Sequence, residues 1–125
     1  MNENDGKKYK LIEKPWMLTN ENKTFENKIT SQGVELKVYF HTDELNGGSV
    51  TLPPHKHVGK ISAHPAAETY YVVSGVLKVE LPRLKETITV RPGELFYMPG
   101  GMIHAPYNDS EEDCFFIWHC GPGWP

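Results

Sequence analysis

The chain has 125 residues, 38% hydrophobic and 11% aromatic, with a formal charge of −3. That length suits one domain with a single core. The slight acidity leaves no basic footprint for nucleic acid, and no apolar run reaches the ~20 residues that cross a bilayer as a helix.

The chain opens on MNENDGKKYK, which lacks the apolar stretch of a secretory signal. A cytoplasmic location is therefore expected. Residues 1–28 are polar and read as an N-terminal arm, partly disordered or forming an outer or exchanged strand. Trp16 in that arm is expected to pack on the body or on a partner subunit. Residues 29–125 read as the main domain. In VELKVYFH, Val34, Leu36, Val38 and Phe40 alternate with Glu35, Lys37 and Tyr39, the period of a half-buried strand. Asn46-Gly47-Gly48 predicts a turn. SVTLPPHKH predicts a second strand, with its two prolines at an edge or an end.

Residues 58–66 read as a loop. Strands are predicted over Glu68–Val73, VLKVEL, ETITVR and ELFYMP, separated by Ser74-Gly75, PRLKE and Pro92-Gly93 turns. GGMIHAPYN turns into a short strand, NDSEED forms a polar loop, and CFFIWHC is the last strand. No long amphipathic helix is evident. Many short strands with regular turn signals predict an all-β sandwich or barrel. Cys114 and Cys120, on one extended segment, would lie ~20 Å apart, too far for a direct bridge, so both are expected to be reduced.

Five residues are candidate metal ligands: His55, His57, His64, Glu68 and His104. Imidazole nitrogens with a carboxylate suit borderline divalent metals. His41 and His119 lie outside these stretches. Tyr70, two residues after Glu68, shares its strand face. A phenol beside a divalent cation can donate or accept a proton. Tyr97, Met98, Met102, Phe116 and Trp118 are expected to line the interior.

Two stretches resemble the paired motifs of the cupin superfamily. Gly93, Pro99, Gly101, His104 and Asn108 match G-x5-P-x-G-x2-H-x3-N at every fixed position. Glu68 and Gly75 match the E-x6-G half of the other motif. The resemblance implies a jelly-roll barrel, the double-stranded β-helix, holding a divalent metal on three histidines and one glutamate. Two registers compete for the remaining ligands. His55 and His57 form an H-x-H pair but lie ten residues before Glu68; some cupin sugar-phosphate isomerases are similar in this lengthened gap. Alternatively, His64 takes the second histidine position at the family spacing, and Ser62 stands where the first belongs. The first register is preferred, because ligands two apart on a strand face the same side. His64 is then a fifth ligand, a substrate contact or an exposed loop residue. Tyr70 resembles the tyrosine of cupin lyases that cleave sulfonium propionates.

The resemblance thus implies a metal-dependent cupin enzyme acting on a small carbonyl or carboxylate compound, as a dioxygenase or a metal-assisted isomerase or lyase. Its cofactor would be Fe, Mn, Ni or Zn. The alternative is a non-catalytic module that binds a small ligand or metal. The expected partners are a small-molecule substrate and a second copy of the chain in a homodimer, with no nucleic acid and no membrane.

Overall fold

Most alternating segments become strands and most Gly- and Pro-bearing stretches between them become turns, but Asn46-Gly47-Gly48 opens a strand instead. The computed structural model describes residues 15–18, 26–59 and 63–123. Most of the expected arm, together with residues 60–62 and so Ser62, lies outside the described residues. In chain order the strands are β1 (Glu26–Ile29), β2 (Glu35–His41), β3 (Asn46–Leu52), β4 (Glu68–Ser74), β5 (Leu77–Leu81), β6 (Glu86–Val90), β7 (Leu95–Met98), β8 (Ala105–Tyr107) and β9 (Cys114–Cys120). The one helical element among the described residues is a 3-10 turn at Pro82–Leu84.

All strand pairs are antiparallel. One sheet has six strands in the order β1-β2-β3-β9-β4-β7, and the other has three in the order β6-β5-β8. Both sheets turn alternate residues into one core. Val38, Val50, Tyr70, Val72, Phe116 and Trp118 come from the larger sheet, and Leu77, Val79 and Val90 from the smaller. Each such side chain, when fully buried, stabilises the fold by about 1.5–3 kcal/mol. The architecture is the expected all-β jelly roll.

Four expectations need correction. Asn46-Gly47-Gly48 is not a turn but the start of β3, paired with β2 and β9, because Gly47 and Gly48 leave room for the Phe40 and Trp118 rings where a Cβ would overlap them. Phe40 does not continue the alternation of Val34 and Val38: a bulge between Val38 and Phe40 shifts the register, and Phe40 packs on Trp16 and His119. The second strand does not run on to His57 but stops at Leu52. Pro53 and Pro54 have no amide hydrogen to continue the ladder, and His55 follows with a left-handed φ of 60°. Lys56–Val58 instead runs along the edge of β8. There Val58 N–H donates to Pro106 at 3.1 Å, Asn108 N–H donates to Lys56 at 2.9 Å, and His57 bridges Tyr107. Tyr97 is not in the interior either. It pairs with Thr69 on the outward-facing register of β4 and is 60% exposed. Met98, Phe116 and Trp118 do face inward.

The outer face of the larger sheet is apolar at one edge. Tyr71 and Val73 of β4 and Leu95 and Tyr97 of β7 are all exposed there. The opposite edge is β1, whose Glu26–Ile29 pairs with Glu35–Val38 and lies over the mouth of the interior cavity.

Candidate metal centre

Glu68 opens β4, and strand alternation sends its side chain inward beside Tyr70 and Val72. A buried carboxylate costs several kcal/mol unless its oxygens are satisfied, by about the amounts known for desolvated ions. Here both oxygens have partners. Oε1 lies 3.2 Å from His104 Nε2 and 3.5 Å from His64 Nε2, and it accepts from the Tyr70 hydroxyl at 3.0 Å. Oε2 accepts from the Cys120 thiol at 2.9 Å.

Local chain features deliver each group. His64 sits one helical-type spacing before Glu68, in the loop entering β4. His104 immediately precedes β8. The turn at Pro99-Gly100-Gly101 locks these two segments together. Gly101, at a φ of 80°, donates its N–H to the His64 carbonyl at 2.8 Å. Gly100 lies against Pro65 so closely that a Cβ there would overlap the Pro65 carbonyl oxygen. Cys120 comes from β9, where it pairs directly with Glu68 across the ladder.

The tautomers follow from the second ring nitrogens. His104 Nδ1 faces the Met102 carbonyl at 2.8 Å, and His64 Nδ1 faces the Ala66 carbonyl at 3.1 Å. A carbonyl only accepts, so each Nδ1 carries the hydrogen and each neutral Nε2 presents a lone pair. With both rings neutral, two lone pairs would point at one anionic oxygen. That arrangement is repulsive unless a proton or a cation lies among them. Backbone carbonyls that orient imidazoles in this way are typical of metal-ligating histidines. The spacing also fits: ligand atoms at ~2.0–2.1 Å from a tetrahedral ion sit about 3.4 Å apart. The ligand atoms of His64, Glu68 and Cys120 all lie within 4.8 Å of one another. These residues fit a divalent metal.

The charges respond to this crowding. Burial pushes the Glu68 carboxyl upward. The hydrogen bonds from His104 and Cys120 and the charges of His104 and His64 outweigh burial, and its pKa falls below the ordinary value. Burial pushes His104 downward, but the hydrogen bond and charge of Glu68 and the Met102 carbonyl leave it raised. Burial, reinforced by Glu68, holds the Tyr70 phenol well above its ordinary value. Tyr70 is therefore a protonated donor in the metal-free protein.

Not all the candidate ligands converge. His64, Glu68 and His104 do, with Tyr70 beside them. His55 is exposed and pairs with Glu111 at 2.7 Å. His57 is exposed and stacks on Tyr107 with ring centroids 5.2 Å apart. The structure does not bring either to the cluster. Cys120 joins it without having been singled out. The inward alternation of Cys114, Phe116, Trp118 and Cys120 signals its face, but its register opposite Glu68 is a tertiary fact. Beside the cluster is a cavity of about 330 Å³, walled by Leu36, Val38, Val50, Phe116 and Trp118.

The family model for the cupin domain matches residues 48–120, more than half of the chain. The chain is a cupin. Among curated proteins, none matches it in sequence. Solved cupins share its fold at low identity. KdgF from Halomonas sp. is 24% identical, with a TM-score of 0.69 over 85% of this chain and 92% of that one. The polyketide cyclase RemF from Streptomyces resistomycificus is 18% identical, with a TM-score of 0.69 over 88% and 80%. The cupin domain of an XRE family transcriptional regulator from Enterobacter cloacae is 22% identical, with a TM-score of 0.61 over 74% and 97%. These likenesses establish the fold of this cupin and leave its chemistry to its own residues. No helix among its described residues is long and apolar enough to cross a membrane.

Proposed function

We propose that this cupin is a divalent-metal enzyme acting on a small carbonyl or carboxylate compound by proton transfer, as an isomerase or lyase. His64, Glu68 and His104 would hold the metal. The observation that carries the reading is the pair of imidazole Nε2 atoms converging on Glu68 Oε1, with the Tyr70 hydroxyl on the same oxygen. A bound divalent metal would polarise a carbonyl or carboxylate oxygen as a Lewis acid.

The chain's own groups would do the rest. Tyr70 is the proposed proton carrier: as a phenolate stabilised by the nearby cation it would take the proton from the carbon beside the carbonyl, and as a phenol it would return one. Its ring is fixed by Phe116, with centroids 4.9 Å apart, so the hydroxyl has little freedom to wander. The apolar cavity walls exclude water around a small organic body. Lys28 is the one lysine or arginine among the described lining residues, and Glu26 of the same strand stands beside it at the mouth.

Two further parts of the proposal concern setting. The exposed apolar face of Tyr71, Val73, Leu95 and Tyr97 supports a homodimer: it is uncharged, so a second copy meets it without burying an unpaired charge. Two buried free thiols support a reducing, cytoplasmic location.

The test is deuterium exchange. Untagged protein loaded with zinc, nickel, manganese or iron would be incubated in deuterated water with small 2-oxo acids and diketones, with oxygen uptake followed in parallel. The expected result is exchange at the carbon next to the carbonyl without oxygen consumption. Tyr70→Phe should slow it by ~10²–10⁴-fold, as for loss of a general acid or base, while keeping the metal. Substrate-dependent oxygen uptake would instead make the protein a dioxygenase. Tight ligand retention with no turnover would make it a binding module.

A further inference from the structure

The His64 register leaves the site one imidazole short, since Ser62 stands where the first motif has its other histidine. A different side chain fills the same neighbourhood. Cys120 is 1% exposed, and its Sγ is 2.9 Å from Glu68 Oε2. Its position is built rather than incidental. Cys120 and Glu68 are direct partners in the β4–β9 ladder. The next residue, Gly121, donates its N–H to the Ala67 carbonyl at 3.0 Å, which clamps the end of β9 to the start of β4. The compact set of potential ligand atoms is His64, Glu68 and Cys120, all within 4.8 Å, and His104 reaches the same carboxylate from outside that set, 3.2 Å from Oε1.

We propose that Cys120 is a direct thiolate ligand of the metal, joining His64 and Glu68, with His104 as the further imidazole on the same carboxylate. This rests on the metal reading of the preceding subsection. The ligand is the thiolate, so binding releases the thiol proton to solvent as the metal–sulfur bond forms. A sulfur donor makes the site softer and shifts its preference toward zinc, iron or copper and away from manganese. The rival role for Cys120 is a thiol that only donates to Glu68 Oε2 and orients it.

Zinc and cobalt alone are sufficient probes. In zinc-loaded wild-type protein, X-ray absorption should show one sulfur at about 2.3 Å beside nitrogen and oxygen at about 2.0–2.2 Å. The cobalt form should show thiolate-to-metal charge transfer in the near ultraviolet. Cys120→Ser should lose both signatures. It should also weaken zinc binding by more than the ~10–100-fold that loss of an outer-shell partner costs. Cys114→Ala should keep both signatures, because Cys114 is buried at the far end of β9 opposite Leu52. Both signatures are read in the wild type, so a poorly folded variant does not obscure the answer. One equivalent of zinc with only nitrogen and oxygen neighbours would overturn the thiolate ligand and leave the metal centre standing. A wild-type protein that binds neither ion would overturn both.

Discussion

The backbone N–H of Gly101 donates to the carbonyl of His64 at 2.8 Å. One residue of the second motif thereby holds the ligand-bearing loop of the first. The position of His64 over Glu68 depends on a turn nearly forty residues further along the chain. Gly100 makes the contact possible, since only a residue without Cβ fits against Pro65. Gly100→Ala should therefore push the two segments apart. We expect metal affinity and melting temperature to fall together. Gly101→Ala meets no neighbour and pays only for its left-handed backbone, about 1 kcal/mol, so it should lose stability while retaining most of its metal. Metal titration with thermal denaturation of the two variants distinguishes a steric cause from a conformational one.

Asn108 closes the second motif and serves the fold. It is buried, and its Nδ2 donates to Leu52 at 2.9 Å and to Glu112 at 2.7 Å, while Oδ1 accepts from Ser110 N–H at 3.0 Å. Asn108→Ala leaves these groups without their partner. The expected cost is about 1–3 kcal/mol, seen as a lower denaturation midpoint, with metal stoichiometry unchanged.

The Glu68–His104 pair gives the metal-free protein a pH signature. Glu68 is lowered in the folded state, so its contribution is present above the ordinary value of 4.5 and is lost as pH falls through the folded value. His104 is raised, so its contribution is present below the ordinary value of 6.5 and is lost as pH rises through the folded value. The melting temperature of metal-free protein should therefore peak between these two values and decline on both sides. Glu68→Gln should flatten the peak. Added zinc requires neutral imidazole, so its stabilising effect should grow as pH rises past 6.5. Calorimetry across pH with and without zinc checks both slopes.

The outer face of β4 and β7 predicts the assembly. Wild-type protein should sediment as a dimer. Leu95→Lys, whose side chain is 62% exposed, places a charge on the face without touching the core. It should yield a folded monomer with its metal retained. A wild-type monomer at all concentrations would remove the proposed interface.

Much of the fold is visible in the residues themselves. Val34 to Val38 and Cys114 to Cys120 alternate cleanly, so their strands and faces follow from local chemistry, whereas the bulge before Phe40 and the buried glycines that open β3 do not. Glu68 and Tyr70 share a face for the same reason. The ligand set is less legible. His55 and His57 look like a chelating pair only if Pro53 and Pro54 sit within an extended strand. The two prolines end the ladder, His55 turns left-handed, and the pair is carried along β8 toward solvent. Cys120 could be placed inward by alternation, but nothing in a single chain encodes that β9 and β4 align it with Glu68. Cross-strand register depends on the whole sheet.

His64, and not His57, is the histidine proposed to join Glu68 and His104 in the metal centre. Metal content of untagged protein, measured after loading with one equivalent of zinc and desalting, tests this directly. Wild type and His57→Ala should each retain about one zinc, and His64→Ala should retain little while staying folded. A His64→Ala protein that keeps its zinc, beside a His57→Ala protein that loses it, would contradict the account.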